Sequence, residues 1–366
     1  MTIKQPPQRH SPLERAMKPT RMKTSHSSSN RHQSNPDAAR LSHTAADVLR
    51  TSIGLGSLLL LTTVGLADTA GRPVAKTPAT KPQASPASPS EPTFENLAYG
   101  PHEKELMNFW QHQSRPPSGV LLEIHGGGWM GGKKTEGARP RHFRGPYHLA
   151  SISYPLVNEG GQQPEMLEAA LRAVQFLRFK ASEWNIDPDR IVVTGGSAGG
   201  CSSLLAALHD DVANAESTDP VERFSSRVAG ATVAGAQTTM NPFVIRERIG
   251  KETFGNPMPY KPFGAETAEE LMVNWEQHKD LVLECSPLTH VSPDDPPLFL
   301  FYNVNREFPA TSSSNGIHSP IFGELMLEAC KKAGVECHLQ YHEKDRPQPA
   351  ISRQEFLTRL LTTGQS

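Results

Sequence analysis

From residue 119 onward, short uninterrupted apolar runs alternate with longer stretches whose apolar positions recur at helical spacing. GVLLEIHGGG (119–128) runs apolar into a glycine turn and predicts a buried strand, and HLASISYPL (148–156) predicts a second. EMLEAALRAVQFLRFKASEW (165–184) sets Met166, Leu167, Ala170, Val174, Leu177 and Ala181 on one helical face, so a helix is expected that ends before NIDPDR. IVVTGG (191–196) reads as a third strand, SAGGCSSLLAALHDD (197–211) as a helix of small residues, and VAGATVAGAQ (228–237) as a fourth strand. PPLFLFYNV (296–304) is the fifth, followed by a helix around 320–333 and a last strand, ECHLQYH (336–342). Near-continuous apolar strands alternating with helices predict an α/β fold with a mostly parallel central sheet covered by helices on both faces. Ligands of such sheets sit beyond the carboxyl ends of the strands, which is where the glycine turns fall. Residues 238–280 interrupt the alternation.

The first ninety residues follow a different pattern. Residues 1–50 are polar, basic and almost without apolar periodicity, so they are expected to be a disordered leader. IGLGSLLLLTTVGL (53–66) is an uncharged apolar run with Arg40 and Arg50 ahead of it and the small residues Ala67 and Ala70 behind. That order predicts a signal peptide over 51–70, cut after Ala67, and export to the periplasm or medium. The run is shorter than the roughly 20 residues of a relaxed membrane span, so membrane contact is expected only if the segment stays uncleaved as an anchor. Met17 and Met22 are alternative starts ahead of it. Residues 71–92, rich in Pro, Ala, Ser and Thr, read as an extended linker, which leaves 93–366 as the globular domain.

The formal net charge of -1 supplies no reason to expect nucleic acid or an anionic surface as partner. Four cysteines, Cys201, Cys285, Cys330 and Cys337, are too scattered for a disulfide framework and form no CxxC metal pair. Cys330 and Cys337 are the one pair placed to bridge in an exported protein, with buried free thiols as the alternative. His102–Glu103 lacks the HExxH spacing, which removes a metalloprotease reading.

Two glycine-rich turns carry the candidate chemistry. GGSAG (195–199) fits the G-x-S-x-G elbow and lies between a predicted strand and a predicted helix. A serine on a sharp turn needs neighbours without bulk, which Gly195 and Gly199 are, and the helix start below Ser197 offers free N–H groups to an anion. Alone, the motif leaves a plain Gly/Ser connector as the alternative. HGGGWMGGKK (125–134) is a second such loop after its own strand, and successive glycines let backbone N–H groups approach a tetrahedral oxyanion unobstructed. His125 is read as the residue that pins that loop, with Gly126 beside it. Trp129 is a candidate to line an acyl or sugar pocket, or to pack.

These stretches, with SISYPL, EWNIDPDRIVVTGGSAGG and SPLTHVSPDDPPLFL, resemble the esterase/lipase group of the α/β-hydrolase superfamily that carries an HGGG loop, which includes hormone-sensitive-lipase-like and feruloyl-esterase-like members. The resemblance spans roughly residues 95–345. It implies a serine carboxylic-ester hydrolase acting on a small-molecule or carbohydrate-linked ester, with no cofactor and no metal. It implies Ser197 as nucleophile, the N–H groups of Gly127, Gly128 and Ala198 as oxyanion hole, and 238–280 as a cap insertion. Family members place an acid after the strand that here ends in FLFYNV and a histidine after the last strand. This chain departs from both patterns. Glu307 is the expected acid, and Asp294 and Asp295 precede the strand. His342 is the expected base, His318 the alternative, and His338 a more distant one. Two other readings share the scaffold: a degenerate hydrolase kept as a binding module, and a peptidase or thioesterase.

Overall fold

The computed structural model describes residues 91–113, 116–343 and 346–362. The leader, the signal-like segment and the linker up to residue 90 lie outside the described residues, so those expectations stand as sequence readings. The strands are β1 (Phe94–Ala98), β2 (Leu106–Trp110), β3 (Ser118–Ile124), β4 (His148–Ile152), β5 (Ile186–Gly196), β6 (Gly230–Ala234), β7 (Leu298–Tyr302) and β8 (Cys337–Tyr341). The helices are α1 (Glu165–Phe179), α2 (Ala181–Trp184), α3 (Ala198–Leu208), α4 (Pro242–Arg248), α5 (Ala268–Val273), α6 (Trp275–Glu284), α7 (Pro287–His290), α8 (Ser313–Ile317), α9 (Pro320–Ala333) and α10 (Arg353–Leu361).

The strands form one sheet in the order β1-β2-β4-β3-β5-β6-β7-β8. From β4 to β8 all pairings are parallel, while β2 runs antiparallel to both β1 and β4. This is the α/β architecture that the apolar runs predict. Its core splits by strand alternation. Val120, Leu122, Ile124, Ile191 and Val193 point into the larger cluster with α1, α3 and α9. Leu121, Leu149 and Val192 point the other way, against Leu357 and Leu361 of α10 and against Phe143 and Tyr147. The six apolar residues assigned to one face of the 165–184 helix are all buried. That helix breaks at Lys180 into α1 and α2.

β5 and β3 are the central strands, and their carboxyl ends carry the two glycine turns side by side. The segment between β6 and β7 holds α4 to α7 and two short 3₁₀ turns. It leans on both the HGGG loop and the loop ahead of α9. Gln163 donates to the Pro262 carbonyl at 2.9 Å, and Ala310 donates to the Ile249 carbonyl at 2.8 Å. A Cβ on Gly128 would lie 3.8 Å from the Met258 Cβ.

Candidate functional site

The turn between β5 and α3 forces Ser197 into φ 53°, ψ -125°, a backbone conformation that a side chain adopts only under strain from its surroundings. What holds it there is close approach. A Cβ on Gly199 would collide with the Ile124 and His125 carbonyl groups, and one on Gly195 would collide with the Gly199 carbonyl. The Ser197 N–H donates to the Ala234 carbonyl at 2.8 Å, and the Ser197 carbonyl accepts from Cys201 at 2.9 Å, locking the turn to β6 and α3. The side chain is left half-buried at the head of α3.

Across from it lies the HGGG loop. The His125 ring stacks on Tyr154 with centroids 4.3 Å apart, and the Tyr154 hydroxyl donates to the His125 carbonyl at 2.7 Å. Nδ1 of His125 donates to the Gly126 carbonyl at 2.7 Å, which leaves the ring as a pin for the loop, and burial lowers its pKa so that it stays neutral. Gly127 and Gly128 have φ 110° and 66°, and their N–H groups, like that of Ala198 at the first position of α3, donate to no protein acceptor among the described residues. Donors free at a helix start and on an adjacent loop can receive a developing oxyanion. Trp129, fully buried, takes the packing role: its indole donates to the Ser202 hydroxyl of α3 at 2.9 Å. The glycine loop is thereby tied to the helix that begins at Ser197.

The histidine is where the structure corrects the expectation. Nε2 of His318 lies 3.0 Å from the Ser197 Oγ. His342 is exposed just past β8, its N–H donating to the Tyr302 carbonyl at 2.8 Å, and it makes no bond to Ser197. β8 is the edge strand, three positions from β5, or about 14 Å at the usual strand spacing. His342 comes too soon after that strand to cross this distance. His318 instead comes from the loop between β7 and α9, directly above β6, and a Cβ on Gly235 at the end of β6 would lie 3.3 Å from its ring. His338 is engaged elsewhere, 2.7 Å from the Glu336 carboxylate.

The acid is corrected too. The Glu307 carboxylate accepts from the Thr311 hydroxyl at 2.6 Å and is held ionised below the usual glutamate range by that bond and by Asn315. It serves the turn leading into α8 and does not reach His318. Asp294 and Asp295 sit before β7, at the opposite ends of the strands from Ser197, beside Arg227. Among the described residues no carboxylate bonds to His318: its Nδ1 lies 3.1 Å from the backbone carbonyl of Ser314. A carbonyl only accepts, so Nδ1 carries the proton and the Nε2 lone pair faces the Ser197 hydroxyl. Burial lowers the His318 pKa from its ordinary 6.5, partly offset by the Ser314 carbonyl, so the ring is neutral at physiological pH. A neutral imidazole nitrogen in this position can take the serine proton as the oxygen attacks a carbonyl.

Two parts of the site had only weak sequence signals. Gln237 stands at the end of the apolar run of β6, where a polar residue beside the elbow strand of a parallel sheet is worth notice. For His318 the signal was the Ser319-Pro320 start of α9, where the Ser319 side chain caps the helix and sets the preceding residue at a loop–helix junction.

An eight-stranded, mostly parallel sheet with a strained serine between β5 and α3 and a glycine loop after β3 defines an α/β-hydrolase. The chain belongs to the BD-FAE family within that class, whose model matches residues 109–318. It is 26% identical over 288 residues to the probable carboxylic ester hydrolase LipM of Mycobacterium tuberculosis, covering 73% of this chain and 61% of that one. It is 24% identical over 259 residues to esterase LipQ of the same organism, covering 63% of this chain and 55% of that one. The chain thus spans less than two thirds of the length of these relatives. Among solved structures, esterase 2 of Thermogutta terrifontis, phosphonylated by sarin, superposes with TM-score 0.50 at 19% identity, covering 70% of this chain and 86% of that one. That likeness is one of fold.

Proposed function

We propose that this protein is a serine carboxylic ester hydrolase working through a Ser197–His318 dyad. Ser197 Oγ attacks the acyl carbonyl as His318 Nε2 takes its proton. The oxyanion is received by the N–H groups of Gly127, Gly128 and Ala198. His318 then returns the proton to the leaving alcohol, and the same steps with water free the acid. The observation that carries this reading is the 3.0 Å contact between His318 Nε2 and a serine held on a strained elbow. The names of the mycobacterial relatives support ester chemistry.

The bond from His318 to a backbone carbonyl rather than a carboxylate is what a retired, binding-only hydrolase would also show. The carbonyl still enforces the productive tautomer, whereas an orienting group that imposes the wrong one costs about 10⁴-fold in rate. The dyad reading is therefore preferred. Its test is turnover of p-nitrophenyl acetate and butyrate beside Ser197→Ala, His318→Ala and His342→Ala. Ser197→Ala is expected to abolish turnover and His318→Ala to cost about 10²–10⁴-fold, as loss of a general base does, while His342→Ala stays near wild type. Absence of both turnover and fluorophosphonate labelling of Ser197 in folded protein would overturn the proposal.

Export belongs to the same proposal and rests on the sequence of residues 40–70 alone. N-terminal sequencing of protein recovered from the periplasm or medium is expected to begin after Ala67; full-length protein confined to the cytoplasm would remove it.

A further inference from the structure

His318 lacks the carboxylate that would ordinarily fix a catalytic imidazole, yet its Nε2 is held 3.0 Å from the Ser197 Oγ. Two chain segments hold it: the turn after β6 below and the end of α8 beside it. Gly235 contributes the floor, with φ 56° and no side chain to displace the ring. Ile317 immediately precedes the histidine and is buried.

Gln237 joins these two segments. Its side chain has no solvent exposure, and its Nε2 donates both to the Gly235 carbonyl at 3.1 Å and to the Ile317 carbonyl. Both protons of one buried amide are thus spent on the carbonyls of the residue under the ring and the residue before it. Its Oε1 is buried without a partner. Leaving that atom unpaired costs free energy, so the orientation of the amide is imposed by the two carbonyls. A hydrophobic residue in the same space would leave the Gly235 and Ile317 carbonyls without these donors, so the amide is what ties the two segments together.

We propose that Gln237 is a positioning residue for His318, performing through the backbone the orienting task that the Ser314 carbonyl performs only in part. This rests on the proposed dyad. Removing the clamp frees the α8–α9 junction to shift, and a displacement near 1 Å at a catalytic group can cost about 10²-fold.

The test is Gln237→Met in the full chain, which keeps the volume and loses the donors. The expected result is a 10- to 100-fold loss of kcat with KM little changed, about the scale of such a displacement, and a parallel fall in the rate of fluorophosphonate labelling of Ser197. In ¹⁵N spectra the His318 resonances, single and Nδ1-protonated in the wild type, are expected to report mixed tautomers. The spectra depend on neither turnover nor labelling, so they remain informative if the ester hydrolase reading fails. Gln237→Asn, one methylene too short to bridge the segments, serves as the second variant. Wild-type labelling rate and tautomer in either folded variant would overturn the proposal, as would failure of both to fold, which would make Gln237 a support of the fold and not of the histidine.

Discussion

At the scale of single residues, the proposed dyad turns on which nitrogen of His318 holds the proton. The Ser314 carbonyl favours Nδ1, and burial sets the pH at which the choice matters. Desolvation penalises the imidazolium, so the pKa falls below 6.5 and the free base persists to lower pH than in an ordinary histidine. In the proposed dyad the active form is the neutral one. The acid limb of kcat/KM against pH is therefore expected below pH 6.5, with activity lost as pH falls through the depressed pKa and flat above it. An acid limb at or above 6.5 would mean that a second, unburied group controls the reaction. Glu307 marks the contrast. Its carboxylate is spent on Thr311 and Asn315, so Glu307→Gln is expected to leave the pH profile and rate close to wild type in the same assay, whereas an acid orienting His318 would not.

At the scale of elements, the site exists because β3, β5 and α3 approach without side chains between them. Gly199 is the tightest point. A methyl group there meets two carbonyl groups of the β3 end and cannot be relieved by rotating a flexible side chain. Gly199→Ala is expected to destabilise the fold by well over 2 kcal/mol, the range of severe overpacking and backbone strain, read as a lowered urea midpoint. Trp129→Phe strands the Ser202 hydroxyl and is expected to cost about 1–3 kcal/mol. These approaches were legible in the chain because glycine after an apolar strand has few other uses, and the elbow and HGGG loop fall where the sequence put them. The histidine was less so. Its place depends on the loop between β7 and α9, whose path is fixed by contacts with the β6–β7 insertion, such as Ala310 with Ile249, that leave no periodic trace. β1, β2 and α10 escaped for a related reason: such short elements show too few apolar repeats to stand out.

At the scale of the whole molecule, the sheet is closed at the end remote from Ser197 by a histidine that takes no part in the chemistry. His148, with no solvent exposure, opens β4; its Nδ1 accepts from the His112 N–H at 3.0 Å and its Nε2 donates to the Asn185 carbonyl at 3.0 Å. It thereby links the end of β2 to the start of β5, and its ring stacks on Phe109 with centroids 5.5 Å apart. Protonation would set an N–H against the His112 N–H, and burial pushes the pKa down to about 4 from 6.5. Between those two values the unfolded chain binds a proton here that the folded protein refuses. The contribution of His148 is thus full above pH 6.5 and declines as pH falls towards 4, where its loss is complete. At about 1.4 kcal/mol per pH unit this group alone accounts for a decline on the order of 3 kcal/mol. His112, His125 and His318, all shifted downward by burial, act in the same direction. Asp295, pushed up to about 6 by burial, and Glu123, also raised by burial, act against them, so the His148 contribution is read from urea unfolding at pH 7, 5.5 and 4 as the difference in slope between the wild type and a His148 variant. His148→Gln should begin less stable at pH 7, having lost a fitted ring, and fall less steeply. Parallel curves for the two proteins would show that acid unfolding is controlled by other groups, and that the hinge between β2, β4 and β5 stays intact after His148 gains its proton.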